Sequence, residues 1–106
     1  MRKLVYLISP NKINKNFYSS LNRVLSFGNC KYFQLRLKKT KKIKVLGIAK
    51  KIKKITKKHK VKFLINDDCT LALKVNVDGC HMGQMDGSLM QAKKILKKKI
   101  LGITCH

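Results

Sequence analysis

Carboxylates are nearly absent from this sequence. Its 106 residues include 26 lysines and arginines but only 4 acidic residues, so the formal net charge is +22. Such a charge makes nucleic acid the first partner to consider. Most lysines, however, fall in residues 38–62 and 93–99, between Ile, Leu and Val at helical spacing. This pattern is typical of the solvated faces of amphipathic helices, so we expect nonspecific polyanion binding at low salt and no specific nucleic-acid partner.

The few acidic residues are all aspartates, and they lie close together. Asp67, Asp68, Asp78 and Asp86 each stand near the end of an apolar run. Surface solubility does not require such a concentration, which therefore indicates a specific role.

Long apolar runs and paired cysteines are also missing. No run approaches the ~20 apolar residues of a membrane-spanning helix, and the first residues do not form a signal peptide, so we expect a cytoplasmic protein with no membrane partner. The four cysteines form no CxxC pair, and that compartment disfavours disulfides. Cys80-His81 and Cys105-His106 suggest zinc, but adjacent strand residues point to opposite faces. Buried, inert thiols are the expectation.

Strand-like and helix-like segments alternate along the chain. Apolar runs predict strands at 4–8, 32–38, 61–65, 77–82 and 100–104, and helical periodicity predicts helices at 14–27, 41–58, 70–75 and 88–98. No hairpin turn separates the strands, so the alternation predicts an α/β fold of βαβ units with a parallel sheet. A doubly wound sheet and a (β/α)₈ barrel both fit this order, but a closed barrel needs about 200 residues or more.

The second predicted strand has a polar side and an apolar side. Its polar residues, which alternate with Phe or Leu, are Gln34, Arg36 and Lys38. Period two places them on one face. In a barrel with helices outside, that face lines the interior, where two cations need an anionic ligand such as a phosphate or diphosphate. An edge strand that faces water is the alternative.

Amide and acidic groups follow two further strands. Asn66 and Asp67 come after the third strand, and Asp86 follows the fourth. Functional groups of parallel sheets cluster at the carboxyl ends of strands, and Mg²⁺ prefers oxygen ligands. Asp67 and Asp86 are therefore the predicted ligands of one Mg²⁺ that bridges a diphosphate. Turn formation and helix capping are the alternative for the Asn-Asp pair, and His81 is either a core residue or a catalyst.

Five motifs in order resemble the thiamine phosphate synthase family. They are Tyr6-Leu7-Ile8-Ser9, Gln34-Leu35-Arg36-Leu37-Lys38, Ile65-Asn66-Asp67, residues 78–86 and residues 101–106. Each motif alone is weak, but together they match the family over essentially the whole chain. The resemblance implies a single partial domain over residues 1–106, which holds about five strands and four helices of a TIM barrel.

The resemblance also implies an activity. The family's synthases are transferases that condense hydroxymethylpyrimidine diphosphate with thiazole phosphate in thiamine biosynthesis, with Mg²⁺ as cofactor. The implied substrate-binding residues are Gln34, Arg36, Lys38, Asn66 and Thr104, and the implied catalytic residues among them are Arg36, Lys38 and Thr104. Asp67 and Asp86 are the implied metal ligands. In the family diphosphate leaves first, and Arg36, Lys38 and Mg²⁺ would stabilise its developing charge.

The chain is short for that family. The family's second half supplies another lysine and the Gly-rich loops for thiazole phosphate, so we expect these residues alone to be inactive, with the first and fifth strands as open edges. The implied partners are the two small-molecule substrates, together with either a homo-oligomer or a completing C-terminal half. The alternatives are a non-catalytic, polyanion-binding remnant and a thiazole tautomerase-like relative. Gln34, Arg36, Lys38, Asp67 and Asp86 together favour the synthase.

Overall fold

A computed structural model describes residues 5–82 and 99–103, which form a five-stranded parallel sheet with helices between its first four strands. The strands are β1 (Val5–Ile8), β2 (Cys30–Leu35), β3 (Lys62–Asn66), β4 (Gly79–Met82) and β5 (Ile100–Ile103); the helices are α1 (Lys15–Leu25), α2 (Lys42–Lys58) and α3 (Cys69–Val75). Strand order follows chain order, and each neighbouring pair is parallel. The predicted parallel βαβ units are confirmed. The helix predicted at 88–98 lies outside the described residues.

Side-chain caps begin two of the helices. Asn14 Oδ1 accepts a hydrogen bond from the Phe17 N–H at 3.0 Å before α1, and Asp68 Oδ1 accepts one from the Leu71 N–H at 2.9 Å before α3. Each satisfies an amide that helix geometry leaves unpaired and contributes about 1 kcal/mol. Over residues 5–82 and 99–103, no helix has the length and apolar character needed to cross a membrane.

Side chains of the sheet alternate between a helix-covered face and an open face. The helix-covered face carries the core residues Phe33, Leu35, Phe63, Ile65 and Cys80, each at most 2% exposed. The helices complete this core with Leu21 and Leu25 of α1, Ile48, Ala49 and Ile52 of α2, and Leu71, Ala72 and Val75 of α3. The open face carries Tyr6, Ile8 and Gln34. The predicted split of β2 into an apolar side toward the helices and a polar side away from them is therefore confirmed within the strand.

The second strand is shorter than the pattern of 32–38 predicts. It ends at Leu35, so Arg36 and Lys38 lie on the loop that follows and are exposed. Here the Ser9 hydroxyl oxygen, instead of a strand carbonyl, accepts the hydrogen bond of the Arg36 N–H at 2.8 Å. Lys39 then turns the chain with a left-handed φ of 49°. Arg36 and Lys38 therefore lie just after the carboxyl end of β2, and not on the strand that was predicted to line the barrel.

Asp78 supports the opposite, amino-terminal edge of the sheet. Its Oδ2 accepts a hydrogen bond from the Phe63 N–H at 2.7 Å, and its own N–H donates to the Phe63 carbonyl at 2.9 Å. The Asp78 carbonyl in turn accepts from the Ile100 N–H at 2.9 Å. Bonds to an ionised carboxylate are among the stronger ones in proteins. This aspartate joins β4 to both neighbouring strands, which is a structural role.

Candidate functional site at the carboxyl edge of the sheet

Polar side chains gather where the first four strands end. Ser9 follows β1, Arg36 follows β2, Asn66 closes β3, and His81 stands opposite Asn66 in the register of β4. Parallel strands bring their carboxyl ends to one edge, which is where α/β proteins place ligand-binding groups. These residues, together with Asp67, define what we call the carboxyl-edge site.

Ser9 fixes the ends of β1 and β2 relative to each other. Its N–H donates to the Gln34 carbonyl at 2.9 Å, and its hydroxyl accepts from the Arg36 N–H and donates to the Pro10 carbonyl at 3.1 Å. Ser9 is 7% exposed, so water competes little for these bonds. The backbone of Arg36 is therefore held while its guanidinium stays exposed. The sequence analysis gave Ser9 no role of its own. Its position directly after a predicted strand was the only feature that could have indicated one.

Tyr6 orients the side chain of Gln34. Gln34 Nε2 donates to the Tyr6 hydroxyl at 2.9 Å, and the Tyr6 ring stacks on Tyr32 with centroids 5.7 Å apart. Gln34 is 3% exposed, so its amide is held rigidly on the open face. With the nitrogen engaged by the phenol, the amide oxygen faces a set direction and can accept a hydrogen bond from a ligand.

Arg36 and Asp67 both interact electrostatically with His81. Burial lowers the pKa of His81, the Asp67 carboxylate opposes this by raising it, and the Arg36 guanidinium lowers it. Contacts also join the ends of the strands, because the Asp67 N–H donates to the His81 carbonyl at 2.8 Å and Asn66 Nδ2 donates to Asp67 Oδ2 at 3.1 Å. Asp67 has a left-handed φ of 62°, which Asp and Asn adopt more readily than most residues.

The oxygen donors at this edge fit a hard divalent cation. Mg²⁺ binds through one or two carboxylates together with phosphate and water oxygens, and the exposed Asp67 carboxylate offers such a donor. Its neighbour Asp68 is committed to capping α3 and lies 4.0 Å from Lys42 Nζ. Of these two acids, Asp67 is therefore the better candidate ligand.

The other predicted site residues are Asp86, Thr104 and Lys38. Asp86 and Thr104 lie outside the described residues, and their roles stay predictions. Lys38 lines a groove of about 860 Å³ between the loops that follow β1 and β2. Four further lysines line the same groove: Lys12, Lys39, Lys41 and Lys44. The structure thus brings Arg36, Asn66 and Asp67 to one edge, close to Gln34, and puts Lys38 in a basic groove two residues from Arg36.

Comparison with known proteins decides the family. A family model described as thiamine monophosphate synthase matches residues 5–106. The chain belongs to the thiamine monophosphate synthase family. This confirms the resemblance carried by the five sequence motifs, four of which contain a residue of the carboxyl-edge site.

Individual members of the family are similar to this chain in sequence and in structure. The thiamine-phosphate synthase of Pelagibacter ubique is 62% identical over 106 residues, which cover 99% of this chain and 51% of that protein. The corresponding protein of Clostridium acetobutylicum is 36% identical, covering 96% and 49%. A solved structure, thiamine phosphate pyrophosphorylase from Pyrococcus furiosus, superposes with a TM-score of 0.81 at 27% identity, over 96% of this chain and 49% of that one. The chain spans about half the length of these relatives, matching their N-terminal half, and the predicted α/β fold, part of a TIM-type barrel, is confirmed.

Proposed function

We propose that the protein carrying this chain is a thiamine phosphate synthase, which condenses hydroxymethylpyrimidine diphosphate with thiazole phosphate and releases diphosphate. The observation that supports this best is the carboxyl-edge site, where a cation and an acid, Arg36 and Asp67, both act electrostatically on His81 in a chain of this family. A diphosphate needs both a positive partner and a metal ion to balance its charge. The site offers one candidate for each.

In this proposal Arg36 binds the diphosphate and stabilises the charge that develops as it leaves. The Ser9 hydroxyl holds the Arg36 backbone, so its guanidinium is presented from a fixed base. Such pre-placed donors act mainly by electrostatic stabilisation of the transition state. Lys38 adds a second cation from the rim of the basic groove, and Gln34, oriented by Tyr6, accepts a hydrogen bond from the substrate.

In this proposal Asp67 would hold Mg²⁺, with Asn66 beside it and Asp86 as the second ligand. When bound, the ion supplies charge neutralisation on the diphosphate oxygens. Because its pKa is lowered, His81 is uncharged at neutral pH and contributes hydrogen bonding without adding a cation. Thr104 and the thiazole phosphate site are assigned on the family relation alone.

Calorimetric titration with pyrophosphate, in the presence and absence of Mg²⁺, tests the proposal. Charge-assisted hydrogen bonds contribute about 1.5–3 kcal/mol, so Arg36→Ala should weaken binding by roughly ten- to a hundredfold. Arg23→Ala is the matched control, since Arg23 is an exposed arginine in the last turn of α1 and is not part of the carboxyl-edge site. Equal losses in the two variants would show that only overall charge matters.

The basic groove supports a second candidate, nonspecific polyanion binding. Five lysines around one groove create a positive potential that attracts any polyphosphate or RNA. Such binding would ignore Mg²⁺ and fall steeply between low and moderate salt. Binding that requires Mg²⁺ and persists at moderate salt favours the synthase, and the opposite pattern favours polyanion binding.

A further inference from the structure

Three sulfur atoms converge on the helix-covered side of the sheet. Cys69 Sγ lies 2.8 Å from Cys80 Sγ and 3.5 Å from Met82 Sδ, and Cys80 Sγ lies 3.8 Å from the same Met82 sulfur. Cys69 is 8% exposed and Cys80 is fully buried, whereas Met82 is half-buried. The three residues therefore form a compact sulfur triad, which reaches the solvent through Met82.

The fold creates this triad from residues that are distant in sequence. Cys69 opens α3, and Cys80 and Met82 alternate with His81 along β4, so their side chains share the face opposite to that of His81. The triad and the carboxyl-edge site are thus on different faces of the same strand. A ligand at the triad would not occupy the diphosphate position proposed above.

Buried cysteine ordinarily behaves as a small apolar side chain, and Cys30 is an example in this molecule. Its thiol donates to the Tyr32 carbonyl at 3.3 Å, and burial raises its pKa. Cys30, Cys69 and Cys80 are all free and buried, as the sequence predicts, whereas Cys105 lies outside the described residues. The triad differs from Cys30 because each of its three sulfur atoms has two others within 3.8 Å.

We propose that Cys69, Cys80 and Met82 form a binding site for a soft monovalent cation of the Cu(I) type. Thiolate and thioether sulfurs are the ligands that select Cu(I), whereas structural zinc requires four thiolate, imidazole or carboxylate ligands. With metal–sulfur bonds of about 2.3 Å, the value for zinc thiolates, a trigonal ion needs sulfurs about 4.0 Å apart. The two separations to Met82 are close to this value, and Cys69 and Cys80 must move apart by about 1 Å.

Binding at the triad changes no oxidation state. The S–H bonds of Cys69 and Cys80 break, two metal–sulfur bonds form in their place, and two protons pass to the solvent. Met82 coordinates through a lone pair of its thioether sulfur and releases no proton. Because the ion enters and leaves as Cu(I), no oxidant or reductant takes part.

The test is an anaerobic titration of the full chain with Cu(I), in competition with a chromophoric Cu(I) chelator. All samples carry Cys105→Ala, so that the remaining thiols are Cys30, Cys69 and Cys80. We expect one tightly bound Cu(I) per chain, retained in Cys30→Ala and lost when Cys69 and Cys80 are both replaced by Ala. Stoichiometric binding that survives this double substitution, or no binding by the parent chain, would refute the site.

Met82→Leu provides the second, structurally gentler variant. This exchange nearly conserves volume and usually costs less than about 1.5 kcal/mol, so it preserves the fold even if the double cysteine variant does not. X-ray absorption at the copper edge should count three sulfur neighbours in the parent and two in Met82→Leu, with weaker binding. Three neighbours and unchanged affinity in Met82→Leu would exclude the thioether and overturn the proposal.

Discussion

The close approach of β4 to β5 makes Gly79→Ala a severe test of the sheet. Gly79 pairs with Ile100, and a Cβ at Gly79 would lie 2.8 Å from both the carbonyl carbon and the Cβ of Ile100 and nearer still to the carbonyl oxygen. The obstruction is mostly backbone, so β5 must move away. Overpacking costs about 1–3 kcal/mol and occasionally more; we expect about 3 kcal/mol here, because a strand rather than a side chain has to shift.

Gly47→Ala is the matched control. Gly47 is exposed on α2, where an added Cβ meets nothing within 4 Å, so alanine should stabilise the protein by up to about 1 kcal/mol through helix propensity. Urea denaturation followed by circular dichroism measures both. With a slope of about 1.5 kcal/mol per molar urea, the midpoint of Gly79→Ala should fall by about 2 M. A midpoint equal to that of the parent protein would refute the strand pairing.

The other predictions concern the two edges of the sheet. An NMR pH series should show that the pKa of His81 lies below its ordinary value of about 6.5. The pKa should be higher in Arg36→Ala, because the guanidinium lowers it, and lower in Asp67→Asn, because the carboxylate raises it. An unchanged pKa in both variants would contradict the geometry of the site. Because the folded-state pKa is the lower one, the stability due to His81 is present above pH ~6.5 and is lost as pH falls through the folded-state pKa, and His81→Gln should flatten that part of the stability profile. At the other edge, Asp78→Ala leaves the Phe63 N–H without its acceptor and should cost about 1–3 kcal/mol in thermal or urea unfolding; a loss below 0.5 kcal/mol, about the size of an ordinary surface change, would contradict this role.

Periodicity predicted the faces of β2 correctly but not its end. Arg36-Leu37-Lys38 continues the alternation of the strand, so the sequence holds no local signal that the ladder stops at Leu35. Where the strand stops, a hydroxyl from Ser9, 27 positions away, accepts the Arg36 N–H. Strand ends that depend on such distant partners are beyond what a periodic pattern contains.

The four aspartates were predicted as a group, and the structure assigns different roles to the three that it describes. Asp68, the residue after the Asn66-Asp67 pair, caps α3, and Asp78 joins three strands. Asp67 lies at the carboxyl-edge site, where the rule on strand ends places it. The end of β3 could be inferred from its apolar run, but the direction of each carboxylate depends on the loop geometry.

The sequence analysis did not predict the contact between Cys69, Cys80 and Met82. Cys69 and Cys80 are 11 positions apart and on different elements, and they meet only because α3 returns the chain to pair β4 beside β3. Their burial could be predicted, but the convergence of the three sulfurs could not.

The central claim of the proposal is that Asp67 is a ligand of the Mg²⁺ that accompanies the diphosphate. The most direct test measures how strongly Asp67→Asn and Asp68→Asn bind pyrophosphate with and without Mg²⁺. Both variants remove one charge, and both suit their backbone, because Asn tolerates the left-handed φ of Asp67 and caps helices as well as Asp does. We predict that Mg²⁺ strengthens pyrophosphate binding in the parent protein and in Asp68→Asn, and that this effect disappears in Asp67→Asn. An undiminished Mg²⁺ effect in Asp67→Asn would contradict the account.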